Sequence, residues 1–252
     1  MSMGSLDGEQ RKATLAAILE RDGIIRLSSA AEELGVSTMT VRRDIVDLEI
    51  AGVLRRVRGG AMPALGPKPF RERSARSARA KSVIAEKALR LVPNGGAVAL
   101  DASSTVAALG ATLGNREGII VATNSWEVFQ AVRRTGGPRP LLIGGEPEEH
   151  TDSFVGPIAC EAAASMLYAR FFASASAIDV EHGSSDVSLS EAQVKRRFAS
   201  VAGETVLCVD ATKLEQQDVA RSFDWEAVSV LITELDPRDH RLDAYRERVE
   251  LL

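Results

Sequence analysis

The sequence predicts an α/β chain in two parts, a small helical unit followed by a larger domain in which helices and strands alternate. Three observations carry this. The first sixty residues hold three closely spaced helical patterns and then a short basic segment ending in a glycine pair. From Lys81 onward, short apolar runs alternate with longer segments of helical periodicity. Between them, Met62 to Ala80 carries Pro63, Gly66, Pro67 and Pro69 and then an Arg/Ser/Ala stretch, the composition of a linker. The expected divisions are therefore 1–61, a linker over 62–80, and a second domain over 81–252.

Composition narrows the classes. Of 252 residues, 45% are hydrophobic and 26% charged, the balance of a soluble globular chain. Aromatics make up only 4%, so the core must be aliphatic. No apolar run is long enough to cross a membrane, and the polar start from Met1 to Gly8 does not read as a secretory leader. Two cysteines, Cys160 and Cys208, and three histidines form neither a disulfide framework nor a metal-ligand pattern. No metal or other cofactor is expected, and the cytoplasm is the expected compartment. The net charge of −4 hides a local reversal, because Val41 to Lys81 holds eleven cations against four anions. A confined basic segment in an acidic chain is the footprint of a polyanion partner.

The first helical pattern runs from about Glu9 to Arg21, with Leu15, Ile18 and Leu19 on one face. A short second helix follows, with Ser29 as its expected cap, Glu32 completing a capping box and Leu34 at its end. Gly35 turns the chain. Ser37 is placed to cap a third helix, in which Val41, Ile45 and Leu48 face inward until Gly52 stops it. Two short helices joined by a tight turn, with an earlier helix to pack on, make a helix-turn-helix. Val53 to Gly60 interleaves apolar residues with Arg55, Arg56 and Arg58, as a β-hairpin wing would.

The third helix would enter the major groove. Arg43 projects roughly 200° away from Val41 and is the candidate for bidentate readout of a guanine edge. Met39, Thr40 and Asp47 lie near it, with Thr40 the second base-reading candidate and Met39 and Arg42 further DNA-contact candidates. Ser37 and Thr38, at the helix N-terminus, suit a phosphate. The wing arginines Arg55, Arg56 and Arg58 would hold the DNA backbone.

In the second domain, a helix carrying Val83, Ile84 and Leu91 precedes a strand over 97–100, a helix over 105–113 and a strand over 119–122. A helix over 126–133, a strand over 141–143 and a helix over 157–167 follow. Another strand is expected within 171–178, then a helix capped by Ser188 or Ser190, strands over 205–209 and 229–232, and a final helix around 240–251. Small hydroxyl residues stand after several of these strands: Asp101-Ala102-Ser103-Ser104-Thr105, Thr123-Asn124-Ser125 and Asp210-Ala211-Thr212-Lys213, with Gly144-Gly145 after a fourth. Ligands of open α/β sheets bind outside the carboxyl ends of the strands, and helix N-termini favour anions. Together these turns describe a polar pocket for a phosphate-bearing ligand.

Val36-Ser37-Thr38-Met39-Thr40-Val41-Arg42-Arg43-Asp44-Ile45, followed by Leu48-Glu49, Gly52-Val53-Leu54 and Arg58-Gly59-Gly60-Ala61, closely resembles the DNA-binding signature of the DeoR family of bacterial transcriptional regulators. The resemblance continues through Lys81-x-x-Ile84-Ala85, Leu100-Asp101, Thr123-Asn124-Ser125, Gly144-Gly145, Gly156, Ala177-Ile178-Asp179 with Gly183, Glu191-Ala192-x-Val194-Lys195-Arg196 and Asp210-x-Thr212-Lys213. It implies an N-terminal winged helix-turn-helix and a C-terminal Rossmann-like α/β sensor domain similar to ribose-5-phosphate isomerase. It also implies a repressor of carbohydrate catabolism genes, released from a double-stranded DNA operator by a phosphorylated sugar or related metabolite. Carried over residue by residue, the effector pocket comprises Asp101, Ser103, Ser104, Thr105, Thr123, Asn124, Ser125, Gly144, Asp179 and Lys213. Three positions depart from the family pattern, since Ser103, Ser174 and Ala177 stand where it writes glycine. Glycine lets backbone approach a ligand, so the expected effector differs from the commonest ones or binds more weakly.

The alternative is a phosphosugar isomerase or deaminase fused to a DNA-binding module, with Asp179, Glu181, His182 and Lys213 as nominal acid-base groups. No complete catalytic carboxylate motif is found, and no catalytic residue is expected. A single winged helix offers few base contacts, so a homodimer or homotetramer is expected.

Overall fold

The computed structural model describes residues 4–63, 69–148 and 151–252. The chain divides between Pro69 and Phe70 into two compact units.

The first unit opens with helix α1 (Gly4–Asp22), strand β1 (Ile25–Arg26) and helix α2 (Leu27–Glu33), and continues with helix α3 (Thr38–Ile50) and strands β2 (Leu54–Val57) and β3 (Gly60–Pro63). Leu15, Ile18 and Leu19 of α1 meet Val41, Ile45 and Leu48 of α3 in one core, as their spacing predicts. Ala30, Ala31, Ile25, Leu54 and Ala61 close it. Gly35 sits at φ +61° in the α2–α3 turn, and Gly52 at φ +71° after α3. Ser37 caps α3, its Oγ accepting the Thr40 N–H at 3.1 Å. Ser29 does not cap α2. That helix starts three residues earlier than such a cap implies, after Arg26, without a side-chain cap. Its entry is fixed instead by pairing in the small sheet, where Leu27 N–H donates to Gly59 O at 3.0 Å.

The three strands form an antiparallel sheet in the order β1-β3-β2. β2 and β3 make the wing hairpin, with Arg58-Gly59 as its two-residue turn and Gly59 at φ +86°. A Cβ on Gly60 would fall 1.8 Å from Ile25 O, so the crossing of β1 and β3 admits only glycine there.

In the second unit, α4 (Phe70–Ala75) and α5 (Ala78–Leu89) precede β4 (Gly96–Leu100), α6 (Ser104–Thr112), β5 (Ile119–Thr123), α7 (Trp126–Thr135) and β6 (Arg139–Leu142). A hairpin of β7 (Glu146–Glu148) and β8 (Ser153–Val155) leads to α8 (Gly156–Ala164), β9 (Tyr168–Ala173), β10 (Ala177–Asp179), β11 (Gly183–Asp186) and α9 (Leu189–Ala199). Then come β12 (Ala202–Cys208), β13 (Ala220–Phe223), β14 (Val230–Ile232), α10 (Asp243–Arg246) and β15 (Glu250–Leu251).

Seven strands build one parallel sheet in the order β15-β14-β12-β9-β4-β5-β6. Its strands are apolar on both faces, as a sheet covered on both sides requires. Val98, Leu100, Val121, Phe172 and Val206 face α5, α6 and α7. Ala99, Ala122, Phe171, Ala173 and Leu207 face α8 and α9. The strand order reverses between β4 and β9, which makes their carboxyl ends the topological switch point.

Three expectations need correction. The apolar stretch 171–178 is two strands, β9 in the main sheet and β10 in a separate antiparallel sheet with β11 and β13. The final helix is short, a 3₁₀ turn over 240–242 and α10, after which β15 pairs in parallel with β14. Only Leu242, Tyr245 and Val249 are buried there, too few for a long amphipathic helix. The segment expected as a linker is also structured in part: β3 reaches Pro63, and α4 belongs to the second unit. Residues 64–68 of it lie outside the described residues.

Candidate nucleic-acid interface and ligand edge

Helix α3 is two-sided. Val41, Asp44, Ile45 and Leu48 are buried, while Ser37, Thr38, Met39, Arg42 and Arg43 are exposed and Thr40 is half-buried. Met39 is 58% exposed, unusual for a large apolar side chain. The buried aspartate is accounted for: Arg11 of α1 grips Asp44 with two bonds, Nε to Oδ2 at 2.8 Å and Nη2 to Oδ1 at 3.1 Å. Lys12 pairs with Asp47 at 2.5 Å. These α1 cations, which sequence reasoning missed, tie α3 to α1 beside the apolar core.

The wing arginines are not equivalent. Arg58 stands exposed at the hairpin tip. Arg55 is half-buried, with Nη2 3.8 Å from Met62 Sδ and its Nε buried without a partner. Arg56 gives its backbone N–H to Glu49 Oε1 at 2.8 Å and its Nε to Glu49 Oε2.

In the second unit, the turns expected to form a pocket do stand at the carboxyl ends of β4, β5, β6 and β12. Asp101, fully buried, organises the switch point. Its Oδ1 accepts Ser103 N–H at 3.1 Å and its Oδ2 accepts Ser174 N–H at 2.9 Å. Ser103 caps α6, accepting Val106 N–H at 3.1 Å. Among the described residues no hydrogen bond engages the Ser104 or Thr105 hydroxyls. Thr123 Oγ1 accepts Ser125 N–H, and Ser125 caps α7. Asn124 is tied to Phe154 through both its side-chain amide at 3.0 Å and its carbonyl at 2.7 Å. Gly144 faces open space, whereas a Cβ on Gly145 would strike Val155 O and Ala159.

The three positions that depart from glycine carry no backbone strain. Ser103 sits at φ −98°, and neither Ser174 nor Ala177 is among the residues with positive φ. What they change is side-chain volume and hydroxyl content at the switch point.

Cations gather at this same edge. Lys213 follows β12 in a 3₁₀ turn capped by Asp210. Burial lowers its pKa, with Asp210 opposing and Arg76 adding to the decrease. Lys81 is pushed down to about 8 by burial, against the pull of Asp210 and with Lys213, Arg73 and Arg76 as repelling neighbours. Its ammonium donates to the carbonyls of Arg73 and, at 2.7 Å, Arg76. Arg73 in turn reaches Ala102 O at 3.3 Å and Thr151 O at 3.4 Å. The stretch assigned to a linker therefore brings Arg73 and Arg76 beside Lys81 at the carboxyl edge of the sheet. For Lys81 the available signal was the Lys81-x-x-Ile84-Ala85 pattern of the resemblance.

Asp179, the remaining residue expected in the pocket, lies in the small antiparallel sheet at the end of β10. It closes the β10–β11 turn, its Oδ1 accepting Glu181 N–H at 3.0 Å, His182 N–H at 2.9 Å and lying 2.8 Å from His182 Nδ1. Those bonds hold its pKa below the usual carboxylate range. An open cleft lined by residues that include Arg196, Glu204, Asp224 and Glu226 lies at the opposite, amino end of β12 and mixes both charges.

Two family models match the chain, the DeoR-like helix-turn-helix domain over residues 11–63 and the DeoR C terminal sensor domain over residues 76–235. The chain is 30% identical over 247 residues to the lactose phosphotransferase system repressor of Streptococcus mutans serotype c, covering 95% of this chain and 98% of that one. It is 30% identical over 254 residues to the repressor of the same description from Lactococcus lactis subsp. lactis, covering 98% and 99%. Among solved structures it is similar to ribose 5-phosphate isomerase A from Methanocaldococcus jannaschii, with a TM-score of 0.40 and 18% identity over 53% of each chain.

Proposed function

Because the chain belongs to the DeoR family of transcriptional regulators, we propose that it represses carbohydrate catabolism genes from a DNA operator and is released by a phosphorylated sugar or related metabolite. The observation that carries the DNA half is the exposure of Ser37, Thr38, Met39, Arg42 and Arg43 on one side of α3 while Val41, Ile45 and Leu48 bury the other. Arg43 and Thr40 read base edges, and Ser37, Thr38 and the wing hold phosphates. Two relatives carry the name of lactose phosphotransferase system repressors, which supports a role at sugar-utilisation genes.

The ligand half rests on the unengaged hydroxyls of Ser104 and Thr105 at the N-terminus of α6, with Lys81 buried and Arg73 and Lys213 half-buried at the same edge of the sheet. The phosphate sits against the α6 N-terminus and within reach of Lys213, with Lys81, Arg73 and Arg76 completing the positive field. Asp101, Ser103, Thr123, Asn124 and Ser125 shape the turns, and Gly144 leaves room for the sugar. Asp179 serves the β10–β11 turn. Its Oδ1 is taken up by two N–H groups and His182, which speaks against Asp179, one of the nominal acid-base groups of the isomerase alternative. A homodimer or homotetramer supplies paired half-sites.

The test is a gel-shift assay on DNA upstream of the protein's own gene and its neighbours, titrated with a panel of sugar phosphates. Specific retention relieved by one of them is expected. Retention of no duplex, or turnover of a sugar phosphate by the pure protein, overturns the reading.

A further inference from the structure

Glu49 lies in the last turn of α3, seven residues after Arg42 and so on nearly the same face. A bare carboxylate there would repel phosphates. Its two oxygens are instead divided between two groups of one residue, the Arg56 backbone N–H at 2.8 Å and the Arg56 Nε. β2 is an edge of the small sheet. Glu49 thus supplies an acceptor that no neighbouring strand provides. The bond to Nε at the same time offsets the guanidinium charge. No carboxylate among the described residues pairs with Arg58, two positions on and exposed at the tip.

We propose that Glu49 is a positioning residue for DNA binding: it locks the wing to the end of α3, so that Arg58, and not Arg56, is the wing cation that meets phosphate. The proposal rests on the DNA-binding reading above. A clamp that joins the base-reading helix to the backbone-holding wing fixes the distance between two contacts on one duplex. Losing it therefore harms recognition of a specific site more than general adhesion to DNA. The charge argument is separate. An arginine already paired with a carboxylate displaces no counterion from DNA, whereas a free one does.

The experiment uses the full-length chain and a duplex recovered by selection from a random pool, with affinity measured across a range of salt concentrations. Arg58→Ala is expected to lower the slope of log K against log salt by about 0.9. Arg56→Ala weakens the selected duplex but leaves that slope unchanged. Glu49→Ala weakens the selected duplex by on the order of tenfold, while binding to random-sequence duplex stays level or strengthens because a negative charge has gone. Glu49→Gln keeps an acceptor for the Arg56 N–H and recovers part of the loss. A slope lowered by about 0.9 in Arg56→Ala overturns the proposal. So does an equal loss on both duplexes in Glu49→Ala, which marks a purely structural role. Should Glu49→Ala fail to fold, the Glu49→Gln and Arg56→Ala measurements decide alone. If the wild-type chain selects no duplex, the DNA-binding reading fails instead.

Discussion

Lys195 holds Asp186 through both carboxylate oxygens, at 2.9 and 2.8 Å, in a site where both side chains are buried. The same ammonium lies 3.3 Å from Asp101 and donates to Ser174 O at 2.8 Å. Burial alone would lower the Lys195 pKa, but the carboxylates of Asp186, Asp101 and Glu191 raise it, so the lysine is charged. One cation thereby ties the switch-point turn after β4 to the loop after β9 and to the small antiparallel sheet. Lys195→Met leaves two buried carboxylates without their counter-charge and is expected to cost about 3–5 kcal/mol. Urea unfolding followed by tryptophan fluorescence measures this in the second unit alone, since the only two tryptophans, Trp126 and Trp225, both lie there. A loss below about 1 kcal/mol would mean that water or protons replace the lysine at little cost.

Gly60→Ala tests the wing. The added methyl would meet Ile25 O at 1.8 Å, and Ile25 belongs to the strand that pairs with β3. Backbone cannot yield as a side-chain tip does, so the unit should lose about 3 kcal/mol or more. The expected result is an early thermal transition with DNA binding lost, while the tryptophan-reported transition of the second unit stays in place. An unchanged melting profile would mean that β1 and β3 separate at no cost.

The core helices of the first unit were readable because each rests on local rules: Leu15, Ile18 and Leu19 at helical spacing, Ser37 before α3, Gly35 and Gly52 where positive φ is needed. The main parallel strands were readable because burial on both faces makes them apolar throughout. What escaped depended on partners distant in sequence. Arg11 and Asp44 are thirty-three residues apart, and nothing near either announces the pair. β10, β11 and β13 are only three or four residues long, held by one another rather than by a pattern of their own. Ser29 had the residues of a capping box, yet sheet pairing at Leu27 began the helix before that cap could act. Of the ligand edge, the hydroxyl turns were legible. Arg73 and Arg76 were not, because the prolines ahead of them gave that stretch the composition of a linker, whereas Lys81 stood in a motif of the resemblance.

Lys81 predicts a pH dependence. Its pKa falls from 10.5 to about 8 in the folded chain, chiefly through burial. Between those values the unfolded chain holds a proton that the folded chain lacks, so this group makes stability rise with pH from about 8 to 10.5, with a slope approaching about 1.4 kcal/mol per pH unit. Lys81→Gln removes the effect, so the wild-type-minus-variant difference in unfolding free energy should climb across that window and stay flat below it. A difference that is flat throughout would place the wild-type pKa at its ordinary value. Binding of an anionic ligand at this edge runs the opposite way, since it favours the protonated lysine and weakens above pH of about 8.

Arg43 carries the most specific expectation at the DNA face. It is exposed, with Met39 one turn before it and Asp47 one turn after, while Val41 and Ile45 hold the helix from the other side. A bidentate contact to guanine is lost outright in Arg43→Ala, costing about 1–3 kcal/mol on the cognate duplex and relaxing preference at one base pair. The helix itself should stand, because Ser37 still caps it and Arg11 still holds Asp44. Affinity measured against a set of duplexes, each changed at one position, separates the two roles this arginine could play. A loss confined to one position identifies a base contact. A uniform loss across every duplex, with a smaller salt slope, would make Arg43 a phosphate contact and move base reading to Thr40 and Arg42.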